Sequence, residues 1–169
     1  MDLPLHPKIV HLPIALAVLL PLLSGGLLLA WWRQWLPPRV WTLVTAGQLL
    51  LVGSGVLALR SGEADEDRVE RLVPEAALEA HEEAGERFVW AAALVAGITL
   101  LPLLLRGERA RLAGATAACA GTFVVLALGY DVGARGGELV YRHGAAAAFA
   151  APDVVGTATP SPRRRDDDD

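Results

Sequence analysis

Cysteine, lysine and aromatic residues are scarce in this chain, and each scarcity removes a class of explanation. The single cysteine, Cys119, allows no intrachain disulfide and no cysteine-based metal site. It sits in an apolar run, where it reads as a small packing residue. Lys8 is the one lysine among 15 basic residues, and the net charge is −4 with a sequence pI near 5.5. Such a balance carries no polyanion-binding signature and argues against nucleic acid as a partner. HExxH pairs, phosphate-cradling glycine loops and nucleophile–base constellations are missing as well, which leaves hydrolytic chemistry unsupported.

The most informative absence is charge itself. Only 20% of residues are charged against 53% hydrophobic, and four stretches carry no formal charge: Leu12–Trp32, Val40–Leu59, Phe88–Leu105 and Leu112–Tyr130. At about 1.5 Å per residue each is long enough to cross a hydrocarbon core of roughly 30 Å, the third only just. A soluble globular domain is excluded on this pattern. The first stretch exceeds a secretory h-region of about 7–15 residues, lacks a small-x-small cleavage site and ends in Trp31-Trp32-Arg33, an interfacial anchor followed by a cation, so it reads as a retained span.

The expected fold is therefore all-α: an integral membrane, antiparallel four-helix bundle over residues 1–151, followed by a disordered Pro/Thr/Ser-rich tail over 152–169. Four spans place both termini on one side of the membrane, here side A, with the loop Arg60–Arg87. The short loops Arg33–Arg39 and Arg106–Arg111 fall on side B. Five arginines are compacted into the side B loops, while the Arg60–Arg87 loop holds ten acids. Weighing basic residues near span ends makes side B cytoplasmic and side A extracytoplasmic. The expected location is the bacterial inner membrane, with the lipid bilayer as the first partner.

Two helices are expected to project beyond the membrane on side A. Pro74 suits a first helical position and Glu75 the positive end of the helix dipole; a helix from there to Leu105 would extend roughly 18 Å before its span begins. Beyond Tyr130, Asp131, Arg135, Glu138 and Arg142 alternate in sign at steps of four, three and four, which gives a salt-bridged stripe or, alternatively, an anchor for an acidic group such as a porphyrin propionate. Small residues at Ala113, Ala117, Gly121, Gly129, Gly133 and Gly137 mark a close-packing stripe for a neighbouring helix or, alternatively, leave room for a flat cofactor.

All four histidines, His6, His11, His81 and His143, fall on side A. Two chemistries could use them. Haem b needs one or two imidazoles, a flat apolar slot and cations near its propionates, for which Arg135 and Arg142 stand at the right level, as do Arg60 and Arg87. A bare Cu, Zn or Fe ion needs three or four ligands, drawn from His6, His11, His81, His143 and Glu138, with Glu82 and Glu83 nearby. His6 and His11 share a site only if His6 lies in a turn before the first span, which Pro7 permits. His143 reaches His11 only through a bend, for instance at Gly136-Gly137; otherwise it caps a helix end. The pair expected from the sequence is His11 with His81.

The segment His6-Pro7-Lys8-Ile9-Val10-His11-Leu12-Pro13-Ile14-Ala15-Leu16 closely resembles the HPxxVHxPIAL opening of a bacterial membrane family known as domain of unknown function 2231. The resemblance extends to a histidine before the third span, matched by His81, and to a closing GGELVYRHG, matched by Gly136–Gly144. It covers roughly residues 4 to 150 and implies a four-span membrane domain. Some members look joined to Rieske or cytochrome c-like modules, which implies electron transfer; neither a Rieske nor a CxxCH motif is present here, so a redox partner would be separate. The leading expectation is a small membrane cytochrome exchanging electrons with a quinone or a partner protein. The alternatives are a haem-free metal site and a non-catalytic assembly subunit, and a homodimer stays open.

Overall fold

The computed structural model describes residues 5–149; the expected tail over 152–169 lies outside them. Every regular element among the described residues is helical. A single turn, α1 (His6–Ile9), leads into α2 (His11–Trp32). A short 3-10 turn, Pro38–Trp41, opens α3 (Thr42–Glu63); one further turn, α4 (Glu66–Val69), precedes α5 (Glu75–Leu104), and α6 (Glu108–Tyr141) is followed by a 3-10 turn at Ala145–Phe149. The four long helices are long and apolar enough to cross a membrane. The chain is an all-α four-helix bundle with the build of a multi-pass membrane protein.

Packing closes the helices into a ring: α2 lies against α3 and α6, and α5 against α3 and α6. Large apolar side chains such as Leu22, Leu49, Leu57, Leu94 and Phe123 face outward, as lipid-facing positions require, so the hydrophobic effect cannot distinguish inside from outside. Small residues and buried polar side chains do that instead. Gly121 lies so close to Val95 that a Cβ there would come within 2.7 Å of its methyl. Ser24 on α2 sits 3.2 Å from Thr122 Oγ1 on α6, and Gln48 Nε2 on α3 donates to Ala92 O on α5.

Two prolines inside the helices create further acceptors. Pro102 has no N–H for the carbonyl one turn earlier and weakens the ladder near the end of α5. In that turn Trp41 Nε1 and Thr45 Oγ1 both donate to Thr99 O at 3.2 Å, and Arg111 Nε donates to Pro102 O at 2.8 Å. Arg111 thereby satisfies a carbonyl that the end of α5 leaves bare, and Thr99 O gains its donors next to the Ile98 carbonyl that Pro102 leaves without one. Gly107, at φ 93°, makes the tight passage from α5 to α6 that a side chain would strain.

The core has three parts. Trp31, Trp41, Val44, Ala115 and Ala118 fill the side B half; Ala17, Leu20, Leu51, Phe88, Ala92, Val95 and Val125 fill the side A half. A third cluster, Val73, Leu139 and Ala145 with Val69, Ala77 and Leu78 against it, lies beyond the uncharged runs. It fastens the projecting start of α5 to the projecting end of α6. That projection holds the candidate site in place.

Candidate functional site

The site begins with α1. This turn packs on the end of α3, and it carries His6 to the α3 backbone: His6 Nδ1 is 2.9 Å from Ala58 O and 3.1 Å from Ser61 Oγ. A carbonyl oxygen can only accept, so Nδ1 holds the proton in this bond, and the Nε2 lone pair is left free. Ser61 Oγ itself donates to Ala58 O at 2.8 Å, which turns its lone pairs toward the imidazole. The histidine is held in the tautomer that a ligand to a metal needs.

His81 projects from α5 about two turns before its uncharged run begins at Phe88. Its ring lies 6.4 Å from that of His6, centre to centre, with the planes at 89°. A glycine backs each imidazole. A Cβ at Gly62 would stand 3.3 Å from His6 Cε1, and one at Gly136 would stand 3.1 Å from His81 Cε1. His81 Nδ1 is buried and has no hydrogen-bond partner. Burial, then the neighbouring His6, and then Arg135 hold its pKa below the ordinary histidine value, against the opposing pull of the Val132 backbone nearby. His81 is thus a neutral imidazole with a buried, unused nitrogen.

The other expected residues are placed differently. His11 is exposed on the first turn of α2, and His143 is half-buried past the end of α6, which runs helically through Gly136-Gly137. Among the described residues no three His, Cys, Asp or Glu side chains form a group that could hold a metal ion. His6 and His81 meet; His11, His143 and Glu138 do not complete a polydentate set with them. Arg135 Nε pairs with Asp131 at 3.0 Å and Arg142 with Glu138, so the alternating charges at the end of α6 compensate one another at i, i+4. On α5 the carboxyl pKa of Glu82 is pushed up by burial and by Glu66, Glu63, Glu79 and Glu86 around it.

Sequence reading missed Ser61, Gly62 and the carbonyl of Ala58. The adjacent Ser61-Gly62, a hydroxyl and a space at the side A end of the second span, was the available signal. Two surface recesses, one lined by Ala134, Glu138, Tyr141 and Arg142 and one near Trp31 and Trp35, include no histidine in their walls. No family model, curated protein or solved structure matches the chain.

Proposed function

We propose that the chain is a small membrane cytochrome in which His6 and His81 would hold haem b. The observation that carries this reading is the meeting of two imidazoles from separate helices, one with its Nε2 lone pair free and the other with a buried, unpartnered Nδ1. An ion bridging two imidazoles through bonds of about 2 Å sets their centres roughly 6 Å apart, close to the spacing found here. The number of donors favours haem over a bare ion. A porphyrin supplies four nitrogens and asks the protein for one or two more, whereas a protein-only zinc or copper site asks for at least three. The expected partner of His81 accordingly moves from His11 to His6.

The turn that carries His6, α1, rests mainly on α3. Arg135 and Arg142 would stand near the haem propionates, already balanced by Asp131 and Glu138. When bound, the haem would supply one-electron transfer, and the Ala58 carbonyl would set the tautomer of His6. The positive-inside rule supports a cytoplasmic side B in a bacterial inner membrane, which leaves the histidine end extracytoplasmic, open to a quinone or a separate redox protein.

Absorption spectroscopy on protein purified from haem-supplied cells, before and after dithionite, tests the proposal. A Soret band and a reduced α band are expected, both lost in His6→Ala and in His81→Ala, and both kept in His11→Ala and His143→Ala. A colourless protein overturns the reading. Stoichiometric copper, zinc or iron in such a sample would point to the bare-ion alternative, and its absence to an assembly subunit.

A further inference from the structure

At the opposite end of the bundle, we infer that the side B loops form a binding site for the phosphate headgroup of an anionic phospholipid. Arg33, Arg39, Arg106, Arg109 and Arg111 lie in the two short connections, and Glu108 is the single acid among them. The two connections meet in space: the guanidinium of Arg111, from the start of α6, lies 5.5 Å over the ring of Trp31 at the end of α2. A recess of about 340 Å³ is lined by Trp31, Gln34, Trp35 and Leu36 from one connection and by Glu108 from the other.

The arginines have no acidic partners of their own. Both ion pairs among the described residues lie at the far end, on α6. Arg33 instead stacks over Trp32 and Trp35 at 5.7 and 5.9 Å, and Arg111 spends one of its five donors on Pro102 O. These contacts fix the guanidinium planes while leaving their charge uncompensated. Arg39, Arg106 and Arg109 are exposed.

The surrounding chemistry selects the partner. Trp31, Trp32, Trp35 and Trp41, four of the five tryptophans, are at this end, where the uncharged runs stop. Tryptophan marks the headgroup level of a bilayer. A planar cationic fork at that level matches a phosphate oxygen pair, and apolar ring edges beside it match the start of an acyl chain. A lipid satisfies both demands; free phosphate satisfies one.

Native mass spectrometry of the purified protein, titrated with phosphatidylglycerol or with phosphatidylcholine of the same chain length, tests this. Phosphatidylglycerol adducts should survive at concentrations where phosphatidylcholine adducts do not. Each of Arg39→Gln, Arg106→Gln and Arg109→Gln should weaken phosphatidylglycerol binding by about five-fold, the effect of one cation near an anionic lipid surface. Glu108→Gln, which removes the only opposing charge, should strengthen it, so the set does not depend on one variant folding. Inorganic phosphate at matched concentration should fail to displace the lipid. Equal retention of the two lipids, unchanged retention in the arginine variants, or displacement by inorganic phosphate would each overturn the inference.

Discussion

The two ends of the bundle solve the problem of polar groups near a membrane in opposite ways. At side B the connections are short, and the polar side chains that reach inward are used: Trp41 and Thr45 share the carbonyl of Thr99, and Arg111 takes that of Pro102. At side A the connection is long and acidic, and buried polar atoms are left over, namely His81 Nδ1 and Asp65 Oδ2. Among the described residues the only other such atom is Gln48 Oε1, inside the bundle. An unused buried donor or acceptor costs about 1–3 kcal/mol, so a fold keeps one where something else compensates. The comparison teaches that the polar groups reaching inward at side B are satisfied within the bundle, whereas side A keeps buried ones without a partner, which is what the proposed ligand site would use.

The difference is broken most directly by removing the largest buried side chain of side B. Trp41 is fully buried and anchors α3 to α5 through Thr99. Trp41→Ala should destabilise the bundle by about 3 kcal/mol, the low end for such a truncation, because water transfer contributes less in a lipid surrounding. Unfolding by titration with a denaturing detergent, followed by helical circular dichroism, would measure it. A loss comparable to that of an exposed leucine would mean that Trp41 does not anchor the side B end.

Side A should respond in its ligand affinity rather than its stability. Ser61→Ala removes the hydroxyl that helps hold the His6 ring while leaving the Ala58 carbonyl in place. Loss of such an orienting partner weakens metal or haem affinity by about ten-fold, the low end for this kind of change. Haem titration into the apoprotein, read at the Soret band, checks this. His81→Leu goes further: it abolishes binding, yet it also deletes the unpartnered nitrogen. The ligand-free fold should therefore be unchanged or stabilised, by up to about 1 kcal/mol. A clearly destabilised His81→Leu would make this histidine a structural residue.

Acid should also act on side A. Burial, His6 and Arg135 keep the folded-state pKa of His81 below its unfolded value. Between those two values the unfolded chain binds more protons than the folded one, so stability falls as pH drops through the ordinary histidine range. The loss is complete only below the depressed folded value. Thermal midpoints of ligand-free wild-type and His81→Leu protein, measured from pH 7 to pH 5, should move apart, the wild type falling faster. Parallel slopes would assign the sensitivity elsewhere.

Much of this contrast was legible before any coordinates. Uncharged runs locate the four helices because the hydrocarbon tolerates no charge, and the loop lengths and arginine positions separate the two ends. The start of α5 is legible to within one residue: Glu75 opens it, and Pro74, expected as its first residue, stands in extended backbone just before it. What the residues could not disclose was which histidines meet. His6 and His11 are neighbours in sequence, but Val10 between α1 and α2 keeps helical backbone angles, so five residues set the two imidazoles about 140° apart around the helix, the first against α3 and the second exposed. That choice depends on the carbonyl of Ala58 and the empty space at Gly62, features of the backbone rather than of any motif.

The smallest expected effect tests how finished side B is. Helix α2 ends in a Schellman arrangement, with Trp35 N–H donating to Ala30 O and Gln34 N–H to Trp31 O. Its pivot is Gln34, at φ 60°, where glycine is usual. A side chain in this left-handed region costs roughly 1 kcal/mol, and glycine gives part of that back as greater freedom of the unfolded chain. Gln34→Gly should thus stabilise by about 0.5 kcal/mol, seen as a small rise in the denaturing-detergent midpoint. Gln34 also lines the recess beside the arginines, so the lipid titration separates two reasons for its presence. If Gln34→Gly raises stability and leaves phosphatidylglycerol binding intact, the strain is incidental; if binding falls while stability rises, the amide is there for the headgroup, and side B too holds strain for a ligand.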